Sequence, residues 1–404
     1  MPSSRLVLTV LVAGPLACDP GPGADAPADI AAPNALDAEV DLPEAPIDLG
    51  EAIEIDLGDL GFTPLSLELG DFDGDGAIDL LITGVDGSVV TSATLRGLGD
   101  GTFEAPFDNG MSGCSAYPVV GRLSDDLRDD VVIAGCGTQF LTVLAADADG
   151  VFSRWSTWPR VTGTGPRSVV VQDFEGDGDH DLIALTVGTG LNARASLQLF
   201  ESNGGTGFWG GATEDLGPVA QSGFDPNRLV AGDLDGDGVL DPILTDQGHD
   251  VARLFGGPTG FGFARELGVG LDVWSSLVAD LDGDGAAEII ATSDSEAAAQ
   301  VLLNDGGGDF EPGDVLPLAH GPYDADVADI DGDGFDDLVT VDDSERRVRW
   351  LRGDGAGGLG DPQERALAGG AIRVHAADLD GDGFDDLVAA TFSVGSVSVL
   401  LSGG

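Results

Sequence analysis

VADIDGDGFDDLVTV, Val327 to Val341, decides the fold. It places Asp329, Asp331, Asp333, Gly334 and Asp337 at positions 1, 3, 5, 6 and 9 of a short loop and continues into an apolar run. Near copies begin at Asp71 (DFDGDGAID), Asp173 (DFEGDGDHD), Asp233 (DLDGDGVLD), Asp280 (DLDGDGAAE) and Asp378 (DLDGDGFDD), and an eroded copy begins at Arg122 (RLSDDLRDD). Successive first positions lie 51, 51, 60, 47, 49 and 49 residues apart. A period of about 50 residues marks a propeller or another repeat array, whose units bury their apolar faces against one another.

Carboxylates at positions 1, 3, 5 and 9 form a ring of hard oxygen donors around a turn that glycine at position 6 permits. The six intact loops supply Asp71, Asp73, Asp75 and Asp79; Asp173, Glu175, Asp177 and Asp181; Asp233, Asp235, Asp237 and Asp241. The remaining three supply Asp280, Asp282, Asp284 and Glu288; Asp329, Asp331, Asp333 and Asp337; Asp378, Asp380, Asp382 and Asp386. Calcium suits such donors, whereas zinc and copper prefer His or Cys and magnesium accepts fewer protein ligands. An EF-hand would need an acid at position 12, where Ile82, Ala184, Leu244, Ala291, Thr340 and Ala389 stand. About six structural calcium ions are therefore expected, because four acids within nine residues repel one another without a cation.

Each loop leads into a run that is apolar on both parities, such as DLLITG, DLIALT, EIIATS or DLVAAT, as suits a strand covered on both faces. A short strand precedes each loop, and a third strand follows and turns through Gly, Asn and Asp into a fourth. Each repeat thus reads as four short antiparallel strands.

With these motifs in place the chain resembles the FG-GAP/VCBS repeat family, the integrin-α-like β-propellers. The motif Asp-x-Asp-Gly-Asp-Gly-x-x-Asp matches in full at Asp71, Asp233, Asp329 and Asp378, while Glu175 and Glu288 keep the charge in two further copies. An Asn-Asp-Gly turn leading to Phe runs from Asn304 to Phe310. The resemblance covers residues 50 to 404 and implies an all-β fold, a seven-bladed β-propeller of four-stranded blades with calcium between the first two strands of each intact blade.

The formal charge of −55 arises from 72 Asp and Glu against 17 Lys and Arg, all of them Arg. The absence of lysine removes P-loop and Schiff-base chemistry, and the acidity opposes nucleic-acid and anionic-membrane binding. Residues 1–17 read as a lipoprotein-type signal peptide ending in Leu16-Ala17-Cys18, with Cys18 as the lipidated residue, so the chain is expected to be exported and anchored to a bacterial cell envelope. Ordinary signal cleavage, leaving a periplasmic or secreted protein, is the alternative. Residues 18–50, rich in Ala, Pro and Asp, read as a disordered tether, and residues 51–404 as the propeller.

Glu51 to Leu57 occupies the fourth-strand slot of the last repeat, which ends at Gly404 after its third strand. The ring is therefore expected to close by the N-terminal strand completing the last blade. In the second repeat Arg122, Ser124 and Leu127 replace positions 1, 3 and 6, so no calcium is expected there. Two readings stand for Arg122: a guanidinium replacing the cation by pairing with Asp126 or Asp130, or a side chain facing solvent. Cys114 and Cys136, near the ends of the same hairpin, are expected to form a disulfide in an exported protein.

The face away from the calcium loops carries the more variable connections, Gly84 to Thr94, Gly188 to Ala195 and Ala212 to Asn227, and is the expected recognition face. The five tryptophans read as packing between blades or as sugar-stacking platforms. His180, His249, His320 and His375 fall at unrelated repeat positions, and the sequence contains no compact catalytic motif. The expectation is a non-enzymatic, monomeric binding or scaffold module recognising a protein or surface partner. The alternative is a lectin or a polysaccharide lyase or hydrolase working at the central channel, where Arg373 and His375 stand nearest.

Overall fold

In the computed structural model the acidic loops lead into second strands that are buried on both sides. The structure describes residues 49–404 apart from 59, 87–88, 110, 112–117, 125, 135–139, 155–158, 162–165, 175–179, 189–193, 203–206, 219–227, 246–250, 254–264, 392 and 404. The expected signal peptide, Cys18, residues 19–48 of the expected tether, Cys114, Cys136, Glu175 and Asp177 lie outside the described residues. The end of the expected tether is corrected: Leu49 is buried in the core and Gly50 N–H donates to Leu401 O at 2.9 Å. Among those described there is no helix, hence none long and apolar enough to cross a membrane.

Among the described residues the strands form seven antiparallel sheets. After β1 (Ile53–Asp56), one sheet holds β2 (Thr63–Gly70), β3 (Asp79–Asp86) and β4 (Val89–Leu95). The next holds β5 (Pro118–Gly121), β6 (Asp130–Ile133), β7 (Thr142–Ala146) and β8 (Phe152–Arg154). It is followed by β9 (Pro166–Gln172), β10 (Asp181–Val187), β11 (Arg194–Ser202) and β12 (Phe208–Pro218). Then come β13 (Arg228–Gly232), β14 (Asp241–Thr245), β15 (Val251–Arg253) and β16 (Arg265–Leu267). The fifth sheet holds β17 (Ser275–Ala279), β18 (Glu288–Ser293), β19 (Ala298–Asn304) and β20 (Phe310–Pro317). The sixth holds β21 (Asp324–Ala328), β22 (Asp337–Val341), β23 (Arg347–Leu351) and β24 (Gln363–Ala366). The last holds β25 (Val374–Ala377), β26 (Asp386–Thr391) and β27 (Ser396–Leu400), with β1 on its outer edge.

This is a β-propeller arrangement. The first strands β2, β5, β9, β13, β17, β21 and β25 touch in succession, and β25 touches β2. The apolar core is divided into layers between neighbouring sheets. One layer joins Val339, Val348 and Trp350 to Val374 and Leu387, and another joins Val388 and Val399 to Leu67 and Leu80. Second strands lie inside these layers, so β10, β18 and β26 are buried at every position, as their two-sided apolar sequences require.

The expectation of seven four-stranded blades is corrected: six sheets are complete four-stranded blades, and the sheet of β2, β3 and β4 has three strands. Its fourth-strand slot, Phe103 to Asp108, meets the third strand only at isolated bridges, Thr94 to Phe107 and Gly97 to Phe103. Pro106 lies between them, and proline cannot donate to a continuous ladder. The N-terminal strand does occupy the outer slot of the last sheet, with Ile53 opposite Val399 and Asp56 opposite Ser396. Glu54 fastens it by accepting hydrogen bonds from Ser396 Oγ at 2.9 Å and Ser398 Oγ at 2.7 Å. Two expected loops are also corrected. Gly84 to Asp86 belongs to β3 and Val89 to Thr94 to β4, the two strands pairing up to Asp86 opposite Val89, and Ala212 to Pro218 belongs to β12.

Candidate metal centres

Every acidic loop follows the end of a first strand, so all lie on one rim of the ring. At position 1 the Asp71 carboxylate accepts Gly74 N–H at 2.8 Å and Gly76 N–H at 3.0 Å on its two oxygens. Asp233, Asp280 and Asp378 take the corresponding pairs of glycine N–H groups. Such a wrap needs left-handed backbone at positions 4 and 6, and Gly332 and Gly334 have φ of 70° and 95°. Sequence reasoning assigned a role only to the second of these glycines.

Among the described residues, three carboxylate oxygens converge within 4.8 Å of one another in five loops. The sets are Asp71, Asp73 and Asp79; Asp233, Asp235 and Asp237; Asp280, Asp282 and Glu288; Asp329, Asp331 and Asp333; and Asp378, Asp380 and Asp386. Asp75, Asp241, Asp284, Asp337 and Asp382 complete the expected ligands in sequence but stand outside these close sets. Of the third repeat, Asp173 and Asp181 are described. An all-oxygen, all-carboxylate donor set of this kind fits a hard divalent cation, and calcium in particular. Each oxygen that already accepts an N–H retains a second lone pair for a cation.

The position-9 acid has a second task that the sequence did not reveal. Asp386 accepts Leu379 N–H at 3.0 Å on one oxygen and Ser402 N–H at 2.7 Å on the other, tying the loop to the end of the third strand. Asp79, Asp181 and Asp337 make the same two bonds. Burial, with neighbouring acids adding to it, pushes Asp79, Glu288 and Asp386 up to about 7 and Asp337 up to about 8. Burial also raises Asp71, Asp280 and Asp329. A bound divalent cation would hold these groups ionised.

Arginine enters the rim at three places. Arg96 Nε lies 3.2 Å from Asp73 Oδ2, and Arg352 pairs with Asp331, both from the residue just beyond a third strand. In the eroded loop it is Arg128, not Arg122, that pairs with Asp126, and its Nε donates to Ala146 O at 3.1 Å. Arg122 is exposed, in keeping with the second of its two readings. Position 7 faces the preceding repeat, so the Arg128 stem lies against Gly74 of the first calcium-type loop, as the Phe384 ring lies against Gly332. Leu127 replaces the position-6 glycine yet keeps φ at 69°, a strained conformation for a branched side chain. Asp130 still accepts Ala146 N–H at 3.0 Å, so this loop keeps its tie to the third strand although it has lost the acids at positions 1 and 3.

The tryptophans divide. Trp350 is core, Trp209 is 65% exposed, Trp274 is half-buried against Tyr323, and Trp155 and Trp158 lie outside the described residues. His249 does so too. At the channel, Asp324 Oδ2 accepts Val374 N–H at 3.2 Å and Asp326 Oδ2 accepts Ala376 N–H at 3.1 Å, capping the free inner edge of β25. His375 Nε2 lies 3.0 Å from Leu67 O and 3.8 Å from Glu68, with its Nδ1 3.6 Å from Asp326. Burial alone would lower its pKa, but the surrounding Asp326, Glu68 and Asp324 carboxylates outweigh this and push it up to about 9.

This geometry defines an all-β propeller with repeated acidic loops, and the sequence comparison agrees. FG-GAP-like repeats are found at residues 280–340 and 329–389. No curated protein matches the chain. The fold is similar to that of BBS1N in complex with ARL6DN. The lead-soaked crystal gives a TM-score of 0.62 at 9% identity, covering 87% of this chain and 96% of that one. The mercury-soaked crystal gives 0.59 at 10% identity, covering 88% and 97%. A structure of an Agrocybe aegerita lectin recognising non-reducing terminal N-acetylglucosamine matches with a TM-score of 0.49 at 19% identity, over 84% of this chain and 88% of that one.

Proposed function

We propose that the chain is a non-enzymatic binding or scaffold module of the cell envelope, stiffened by about six calcium ions and engaging its partner through the rim opposite the acidic loops. The observation that supports this most is the alignment of the acidic clusters along one rim, which commits that rim to holding the ring together. The opposite rim is left for recognition. In this reading Asp71, Asp73, Asp79 and their equivalents hold the ion, and the ion supplies charge neutralisation rather than chemistry. Export, lipidation of Cys18, a tether over residues 18–48, a Cys114–Cys136 disulfide and a monomeric state belong to the same proposal.

The channel groups bear on the alternative of a lyase or hydrolase. Asp324 and Asp326 are engaged in strand-edge hydrogen bonds, and His375 lies against Leu67 O, a disposition that favours recognition over acid–base work. The test is capture: calcium-loaded protein is immobilised, exposed to envelope extract and surface polysaccharides, and eluted with chelator. Recovery of a specific protein or an intact glycan supports the module. Recovery of shortened glycan would overturn the non-enzymatic reading.

A further inference from the structure

Arg228 is out of keeping with its surroundings. The chain carries 72 acids against 17 cations, yet among the described residues no carboxylate lies within ion-pair distance of its guanidinium. One Nη1 donates to Ser275 Oγ at 2.8 Å. Burial lowers its pKa, with Asp324 acting in the opposite direction from farther away. Asp324 itself is turned toward β25, where it accepts Val374 N–H and lies 3.9 Å from Arg373 Nη1. A guanidinium withdrawn from water and short of acceptors is matched by an incoming carboxylate, which takes two of its parallel N–H donors.

The neighbours supply a second feature. Trp274 and Tyr323 immediately precede β17 and β21, while Arg228 opens β13 and Arg373 precedes β25. All four therefore stand at the end of the channel away from the acidic loops. Trp274 Nε1 donates to Tyr323 O at 3.1 Å, and the two rings lie 6.2 Å apart at 54°, so the Trp274 ring stands beside a tyrosine that is 39% exposed. Arg228 reaches Ser275, the residue after Trp274, and the Tyr323 phenol acts electrostatically on its guanidinium, so an aromatic ring and a guanidinium share this mouth and match a ring that is apolar on its face and charged at its edge.

We propose that this mouth, built from Arg228, Ser275, Trp274, Tyr323, Asp324 and Arg373, binds an acidic saccharide, with its carboxylate on Arg228 and its sugar ring against Tyr323. The inference rests on the recognition-rim reading above and deepens it by giving the ligand's class. The formal charge of −55 repels a long polyanion, so the ligand is a chain end or short oligomer. Its affinity rises as salt shortens the Debye length from about 30 Å at 0.01 M to about 10 Å at 0.1 M.

The test is calorimetric titration of the whole calcium-loaded chain with a galacturonate trisaccharide, a galactose trisaccharide and triglutamate. The expected result is binding of the first, at least about tenfold weaker binding of the other two, and a loss of about tenfold or more in Arg228→Gln and in Tyr323→Ala. Arg194→Gln, at an exposed pair with Asp215, should leave it unchanged. Should Arg228→Gln fail to fold, Arg228→Lys serves, since it keeps the charge and loses the fork. No binding of the galacturonate probe, equal binding of the neutral probe, or binding that survives Arg228→Gln overturns the proposal, and preference for triglutamate overturns its ligand class. If capture from envelope extract persists while the trisaccharide fails, the mouth inference falls alone. If capture also fails, the recognition reading falls with it.

Discussion

Asp71 and Asp129 clasp each other across two repeats. The Asp71 N–H donates to Asp129 Oδ2 at 2.9 Å, and the Asp129 N–H donates to Asp71 O at 2.8 Å. Asp329 and Asp385 repeat the clasp at 3.2 and 3.3 Å, and Arg122 N–H reaches His180 Nδ1 at 3.1 Å in the same way. In these three pairs the residue at position 8 grips the first residue of the preceding loop, and the second repeat, without acids at positions 1 and 3, still serves the first. Asp129→Ala removes the acceptor from a partly buried N–H and should lower stability by about 1–3 kcal/mol. It should also weaken calcium uptake by the first loop, whose leading residue loses its anchor. Urea unfolding with and without calcium reads both effects, and an unchanged midpoint would count against the clasp.

The position-9 acids set a pH dependence for the calcium-free protein. Asp79, Glu288 and Asp386 are pushed up to about 7 and Asp337 to about 8, all above the ordinary carboxylate range. Between that range and those values the folded state holds protons that the unfolded state has released, so stability falls as pH rises. Melts in chelator should therefore be higher at pH 5.5 than at pH 8.5. Saturating calcium should reverse the trend, because the ion needs the ionised acids.

Closure by β1 gives a third expectation. Removing Ile53 to Asp56 exposes the outer edge of β27 and strips Ser396 and Ser398 of their Glu54 acceptor. The whole ring should melt earlier in a single transition, as scanning calorimetry would record, since its core layers run between sheets. A deletion that melts at the parent temperature would contradict closure.

Arg352 gives a fourth. It pairs with Asp331, one of three acids converging in the sixth repeat, and so opposes a cation at that loop. Arg352→Ala should tighten calcium binding there while lowering the stability of the chelated protein by about 1 kcal/mol, an amount limited by partial exposure. Calcium titration followed by melting in chelator separates the two.

Much of this was legible because the repeat is written in short-range chemistry. The loop Asp329 to Asp337 and its copies fix where first strands end and second strands begin, and Ile53 to Asp56, within the expected Glu51 to Leu57, fills the outer slot of the last sheet. Features set by contacts between repeats were not legible. Nothing in RLSDDLRDD distinguishes Arg128 from Arg122 until the preceding loop is placed against Gly74. The second task of Asp386 depends on the return of the third strand to Ser402, and the grip of Asp385 on Asp329 depends on the next repeat in the ring. Pro106 was visible, but its interruption of the outermost strand follows only from the slot it occupies.

The most direct test of the account is metal content and melting of the purified chain before and after chelation. About six calcium ions per chain are predicted, with a strong fall in melting temperature in EDTA. At a hundredfold excess over the dissociation constant each site contributes about 2.7 kcal/mol to the folded state. A protein that carries no calcium and melts identically in EDTA would contradict it.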